Sequence, residues 1–145
     1  MNKTHIDLAR ERGRGIEALK GSNVPAVFCD AVKVQLNECV MLSISGKVGV
    51  RPDGTLAGRT MREQTQQTLE SIREVIQREG GTMDDIVRVR VYVTQVDSAS
   101  LRDIHDVRSK FWTEGKYPAS TLVRVDQLIR DGALIEIDAD AVIAS

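Results

Sequence analysis

An alternating segment close to the end of the sequence constrains the fold more than any other feature. At residues 134–141, isoleucine or alanine at every second position alternates with mainly acidic residues. Side chains of a β-strand point alternately to the two faces of its sheet, so the pattern predicts a strand with one apolar face. Glu136 falls on the other face, between Ile135 and Ile137, where a carboxylate is costly to bury unless it has a partner or faces a cavity.

A second strand is predicted just before this one. Residues 117–125 begin with Tyr-Pro-Ala and continue with branched side chains at Thr121, Val123 and Val125, which are typical of strands. The Arg-Asp-Gly sequence at residues 130–132 predicts the turn that leads into the alternating strand.

The charge balance argues against nucleic acid or an anionic membrane surface as the main partner. The 145 residues include 20 basic and 21 acidic ones, for a net charge of −1, whereas a nucleic-acid-binding domain carries a basic patch. The length fits one ordinary domain. No apolar run reaches transmembrane length, and the first residues lack the apolar core of a signal peptide, so a cytoplasmic protein is expected.

Few residues suit a disulfide framework or a metal site. The chain has two cysteines, Cys29 and Cys39, and two histidines, His5 and His105. These numbers are too small for a disulfide framework or a histidine-built metal centre. The sequence also contains no glycine-rich nucleotide-binding loop and no nucleophile elbow. We therefore expect no metal and no cofactor.

The order of the predicted elements indicates an α+β fold. Residues 27–35 and 39–45 predict two strands of a hairpin, and residues 60–79 and 99–112 predict helices on either side of a strand at residues 87–94. With the two C-terminal strands, this order predicts a mixed sheet with both helices on one face. The uncovered face of such a sheet must be buried elsewhere, which favours an oligomer.

Two smaller features complete the organisation. Residues 1–25 predict a mobile or loosely docked N-terminal arm, with a short helix capped by Thr4, ahead of a domain at residues 26–145. The helix at residues 99–112 has an inward-facing stripe that contains one charged residue. The stripe is Leu101, Ile104, Val107, Arg108, Phe111 and Trp112.

Two stretches resemble a known family. Tyr-Pro-Ala-Ser-Thr-Leu-Val at residues 117–123 and Ala-Leu-Ile-Glu-Ile-Asp-Ala at residues 133–139 are similar to the C-terminal signature of the RidA family, also called YjgF or L-PSP. The resemblance extends over about residues 29–144. It implies a fold related to the small bacterial chorismate mutase, assembled as a barrel-like homotrimer whose ligand pockets lie between subunits.

The resemblance implies a deaminase activity, but one residue of the family's site differs in this chain. Family deaminases hydrolyse reactive imines or enamines without a cofactor, using an arginine that pairs with the substrate carboxylate and a glutamate that holds the attacking water. The glutamate falls at Glu136, but the arginine falls at Ser120. A serine cannot balance a carboxylate charge, so we expect a changed substrate class and weak deaminase activity on 2-imino acids.

Five further residues complete the implied site. Ser45 and Gly46 fall at the Ser-Gly pair that lines the family's cavity, although Gly46 is equally compatible with a strand bulge. Phe28 falls near the family's aromatic residue, and His105 falls at its helix-borne asparagine. Arg124 follows the missing arginine on the same face of its strand and is either a substitute donor or a surface residue.

His105 and Glu136 form the candidate catalytic pair. If both face one pocket, an imidazole and a carboxylate can share proton transfer near neutral pH. The alternative is a partly exposed helix histidine and an unrelated glutamate. The preferred interpretation is an enzyme that hydrolyses or tautomerises a small imine, enamine or related compound. The alternative is a non-catalytic trimer of the same fold that binds a small regulatory ligand.

Overall fold

Six strands and three helices make up residues 2–14 and 19–145, the part of the chain that the computed structural model describes. The strands are β1 (Asn2–Ile6), β2 (Ala31–Gln35), β3 (Cys39–Val48), β4 (Ile86–Val93), β5 (Ala119–Arg124) and β6 (Ile135–Ala144). The helices are α1 (Leu8–Glu11), α2 (Met61–Arg78) and α3 (Ser98–Arg108), and a 3₁₀ helix, Met83–Asp85, leads into β4.

The strands form one mixed sheet in the order β1-β2-β3-β6-β4-β5. Neighbouring strands are antiparallel, except that β4 and β5 are parallel and are connected through α3. The alternating strand β6 therefore lies inside the sheet, between β3 and β4, and β5 forms an edge. The predicted α+β fold with a mixed sheet and two main helices is confirmed.

One face of the sheet encloses the hydrophobic core together with α2 and α3. The side chains of Leu69, Ile72 and Ile76 on α2 are fully buried in one cluster with Ile135 and Ile137 of β6. Burial of each such side chain stabilises the fold by roughly 1.5–3 kcal/mol. The cluster holds β6 rigidly from the helix side, which fixes the direction of the side chains on its other face.

The ends of α2 and α3 follow from local sequence. Thr60 caps α2 by accepting a hydrogen bond from Glu63 N, and Asp97 caps α3 by accepting one from Ser100 N. The helix predicted for residues 60–79 is confirmed as Met61–Arg78, whereas the one predicted to reach residue 112 ends at Arg108. Trp112 nevertheless stays buried, since its indole N–H donates to Met83 O at 2.7 Å.

Alternation along β4 separates the two faces of the sheet. Val89, Val91 and Val93 are buried on the helix side. Val87 breaks this alternation and is 51% exposed, because a register shift beside it interrupts the pairing with β6.

The N-terminal segment belongs to the sheet and is not a loosely docked arm. β1 pairs antiparallel with β2, and Ile6 and Leu8 are buried in the core. The helix predicted to begin at Thr4 begins at Leu8 instead, where Asp7 accepts a hydrogen bond from Arg10 N at 2.9 Å. Residues 15–18 of the predicted arm lie outside the described residues.

The hairpin strands are placed as predicted, with different ends. β2 begins at Ala31 and not at residue 27, so Phe28 precedes the strand. β3 continues to Val48 through a register shift between Ile44 and Lys47. This irregularity lies beside the middle of β6, where it opens space on the face away from the helices.

Candidate active site

Glu136 lies on the open face of the sheet, the face that α2 and α3 do not cover. β6 pairs it with Val48 on one side and Tyr92 on the other. Its side chain is half-buried, and within the described residues it forms no hydrogen bond or ion pair. Burial raises the pKa of this carboxyl group, and the negative charge of Asp138 raises it further. The chain therefore holds a carboxylate that is partly desolvated and available to a ligand or water.

Gly46 leaves the space that the Glu136 carboxyl group occupies. A Cβ atom at residue 46 would lie 2.9 Å from Glu136 Cδ and would collide with the carboxylate. Gly46 lies at the register shift of β3, and it also lines the cavity described below. The two alternatives for this residue, a cavity-lining position and a strand bulge, are therefore compatible. Its neighbour Ser45 donates its hydroxyl hydrogen to Cys29 O at 2.6 Å, which leaves the oxygen able only to accept from a ligand.

An open cavity of about 560 Å³ surrounds these groups. Ser45, Gly46 and Glu136 line it, and Phe28, 42% exposed, forms part of its wall. The cavity thus brings together four of the residues that the sequence analysis placed in one site. Its size suits a small molecule.

A charge cluster closes the far side of the cavity. Arg90 donates to Asp138 at 2.7 Å and to Asp140 at 3.1 Å, and Tyr92 donates to the second oxygen of Asp138 at 3.3 Å. These contacts raise the pKa of the Arg90 guanidinium. Because both aspartates bind Arg90, that arginine is not a free cation for a substrate. Glu136 is the acid of β6 that pairs with no residue the structure describes.

His105 lies on the helix side of the molecule and not in this cavity. It is an exposed residue of α3, and its Nδ1 lies 2.9 Å from Leu101 O in the preceding turn. Glu136 points to the opposite side of the sheet. A single copy of the chain therefore does not bring the two residues together, and proton transfer between them would need a second copy.

Ser120 also lies on the helix side, on edge strand β5. The register pairs it with Val89, and it pairs Arg124 with Val93, so both side chains share the direction of the buried valines. Arg124 is exposed. Arg108 of α3 donates through Nη1 to Ser120 Oγ at 3.1 Å. The guanidinium group of Arg108 therefore lies beside Ser120, the position at which the resemblance implies an arginine.

Sequence reasoning identified Arg108 as buried but gave it no function. The position falls in the apolar stripe of α3, and the structure confirms its burial. The positive charge of Arg108 within an apolar stripe was a signal in the sequence that this residue has a partner or a function, since arginine is rarely buried without a partner. Its contact with Ser120 depends on how the α3–β5 connection closes, which periodicity does not reveal.

The described part of the chain offers no obvious metal centre. Across residues 2–14 and 19–145, no three His, Cys, Asp or Glu side chains are grouped so as to hold a metal ion. Within the same ranges, no helix is both long and apolar enough to cross a membrane.

Comparison with known proteins identifies the family. The sequence profile of the family described as Endoribonuclease L-PSP matches residues 24–143. The chain belongs to the RidA/YjgF/L-PSP family. A RutC family protein from Pyrococcus horikoshii is 32% identical over 101 residues, which are 69% of this chain and 77% of the relative.

Other RidA-family proteins extend the similarity over the whole fold. A 2-iminobutanoate/2-iminopropanoate deaminase from Salmonella typhimurium is 31% identical over 124 residues, 83% of this chain and 92% of that protein. The crystal structure of YyfA from Yersinia pestis, a Rid-family protein of unknown function, has a TM-score of 0.73 at 26% identity. It covers 97% of this chain and 98% of the other.

Proposed function

We propose that the protein hydrolyses a small imine or enamine in a pocket completed by two subunits of a homotrimer. The observation that carries the proposal is the Glu136 carboxylate, which is half-buried, unpaired among the described residues and held against Gly46 in an open cavity. Burial and the charge of Asp138 raise the pKa of the Glu136 carboxyl group, which makes its carboxylate a stronger base. Relatives named as deaminases support the reaction class.

The chemistry needs one positioned acid–base group. Glu136 accepts a proton from a water molecule while the water oxygen forms a bond to the imine carbon. Glu136 returns this proton to the imine nitrogen, which gives a carbinolamine. Glu136 then takes the hydroxyl proton of the carbinolamine and passes it to the amine nitrogen as the C=O bond forms and the C–N bond breaks. Ammonia leaves, the carbonyl product remains, and Glu136 returns to its carboxylate form. A positioned base of this kind contributes about 100-fold or more in rate.

The homotrimer is proposed from the open face and the resemblance. Met41, Val123 and Val142 are exposed apolar residues whose register places them on this face of the sheet. Contact with a second copy would bury them and narrow the cavity. Light scattering or sedimentation should give three times the 16.0 kDa mass of the chain, and a stable monomer would contradict the site model.

Nuclease activity, which the family description suggests, fits the open face poorly. Among the described residues, the cavity is lined by the three carboxylates of Glu136, Asp138 and Asp140 and by one cation, Arg90. Such a surface repels a phosphate backbone, whose recognition depends on excess Lys and Arg.

The test is an assay in which a pyridoxal-phosphate dehydratase generates 2-aminoacrylate and its imine, and loss of the imine is followed with and without the protein. Because Ser120 replaces the expected arginine, the wild type should accelerate hydrolysis of this carboxylate-bearing imine only weakly, and Glu136→Gln should lower that acceleration about 100-fold or more. Acceleration as strong as that of an arginine-bearing family member would show that another group binds the carboxylate. Glu114→Gln, an exposed glutamate away from the cavity, is the matched control. Full turnover by Glu136→Gln would remove the catalytic assignment, and a wild type that binds ligand without turnover would favour the regulatory alternative.

A further inference from the structure

A second cavity, of about 110 Å³, is lined by residues of α1, β3 and α2. It adjoins the cavity around Glu136, but Glu136 does not line it. Leu8 and Val50 form part of its apolar wall, and the rest is strongly charged. The charged lining residues are Arg12, Arg14, Asp30, Lys47, Arg51 and Glu74. Even without Arg14, which has interactions of its own, three cations face two carboxylates.

Both carboxylates of this cavity are already engaged. Asp30, 7% exposed, accepts from Leu8 N at 2.6 Å through one oxygen and from Lys47 Nζ through the other. Glu74 accepts from Arg12 Nη2. An ammonium group carries three N–H donors and a guanidinium group five. Most donors of Lys47 and Arg12 therefore remain unused after these contacts.

Arg51 adds a cation that no described carboxylate pairs with. Its Nη1 donates to Leu56 O at 2.8 Å, which leaves Nε and Nη2 without an acceptor in residues 2–14 and 19–145. The acid of the same turn, Asp53, accepts instead from the backbone and the hydroxyl group of Thr55, at 2.9 and 2.6 Å. The positive charge of Arg51 is thus available to a ligand.

Ser71 of α2 supplies a neutral donor. Its oxygen accepts from Gln67 Nε2 at 3.1 Å, which leaves the hydroxyl hydrogen available. Unused donors therefore come from four parts of the chain around one cavity. They belong to Arg12 after α1, Lys47 of β3, Arg51 of the following turn and Ser71 of α2. Donors in several directions match the three or more oxygens of a phosphate group better than the two coplanar oxygens of a carboxylate.

We propose that this cavity binds the phosphate group of a small molecule, as a second ligand site beside the Glu136 cavity. Its excess of positive charge contrasts with the acidic lining of the Glu136 cavity, and guanidinium groups are suited to phosphate. The volume is well below the roughly 300–1,000 Å³ of a site for a drug-sized ligand. This size favours a small phosphate ester or inorganic phosphate over a nucleotide.

The inference goes beyond the proposed function and does not depend on it. Phe28, Gly46 and Val48 line both cavities, but the proposed donors lie only in the smaller one. Glu136→Gln removes a negative charge from the neighbouring cavity and should not weaken phosphate binding. Phosphate binding by a protein that hydrolyses no imine would end the proposed function alone, and imine hydrolysis without phosphate binding would end this inference alone.

Titration calorimetry with inorganic phosphate tests the site. The wild type should bind phosphate saturably, and Arg51→Gln should bind it roughly 10- to 100-fold more weakly, the usual effect of hydrogen bonds to a charged group. Arg51 is exposed, so its substitution removes little packing. Arg59→Gln is the matched control, because it removes the same charge from an exposed residue that does not line the cavity.

Ser71→Ala is the second variant. It removes one hydroxyl donor from the middle of α2, where alanine suits the helix, and should weaken phosphate binding several-fold if Arg51→Gln disturbs its turn. Lys47 is not suited to this test, because its removal would leave the buried Asp30 carboxylate without its cation.

Glycerol 3-phosphate distinguishes the two sources of the phosphate group. Binding at least as tight as that of inorganic phosphate supports a small phosphate ester as the ligand. Binding of inorganic phosphate with exclusion of glycerol 3-phosphate supports the free ion. Both results require the same dependence on Arg51.

Four outcomes would overturn the inference. The first is the absence of saturable phosphate binding by the wild type, and the second is unchanged affinity in both Arg51→Gln and Ser71→Ala. An equal loss in Arg59→Gln is the third, because it would indicate general attraction to surface charge. The fourth is acetate binding as tight as phosphate binding, which would show that the cavity does not select a phosphate group.

Discussion

Along β6, residues on the helix side, such as Ile137, are buried among apolar side chains, whereas residues on the open side, such as Glu136 and Asp138, face a cavity. The first set stabilises the fold by burial. The second set contributes little to stability, and Glu136 has no partner among the described residues to offset its partial desolvation. Neighbouring residues of one strand therefore serve different purposes, stability on the helix side and chemistry on the open side. A substitution on one side should leave the property of the other side unchanged.

The largest expected effect is on the helix side. Ile137→Ala removes a fully buried side chain from the core and should lower the free energy of unfolding by about 2–5 kcal/mol. Urea denaturation measures this loss. At temperatures where the variant stays folded, its rate per folded molecule should remain near that of the wild type. A large loss of rate at full folding would show that the two faces are not independent.

Gly46→Ala should act mainly on chemistry. The added methyl group meets the Glu136 carboxyl group, which must move, and misplacement of a catalytic group by about 1 Å can cost on the order of 100-fold in rate. We expect a loss of roughly 10- to 100-fold in kcat, with little change in the unfolding midpoint. A fully active Gly46→Ala enzyme would show that the position of Glu136 is not critical.

The ionisation of Glu136 should make both the reaction rate and the folding stability depend on pH. Because its pKa is raised in the folded state, the acid limb of the rate profile should lie above the usual pKa of a glutamate. For the same reason, the stability that this group contributes is present at low pH and is lost as pH rises through the folded pKa. Glu136→Gln should therefore be at least as stable as wild type at pH 7, and a clearly less stable variant would indicate a structural role.

His105→Ala should have the smallest effect. The imidazole is exposed on α3, and its one hydrogen bond to the described residues is with Leu101 O of its own helix. We expect a rate change within about threefold, well below the contribution of a positioned acid or base. A loss near 100-fold would restore the proposed His105–Glu136 pair, now formed across two subunits.

The strands and long helices were predictable because their patterns are local. The alternation along β6 indicated both of its faces, and the helical spacing of apolar residues indicated α2 and α3. β1 was missed because Asn2–Ile6 is mostly polar and buries one residue, so its strand character comes from pairing with the distant β2. The Arg108–Ser120 contact was missed for a similar reason, since it requires the closure of the α3–β5 connection.

The interior location of β6 has a consequence for local motion. β3 and β4 pair with β6 along both of its sides, so its amides should exchange with deuterium only when the whole domain unfolds. β5 pairs with β4 alone, and its exposed edge should exchange through local opening. Glu136 thus stands on the most slowly exchanging strand, whereas Ser120 stands on one that can fluctuate.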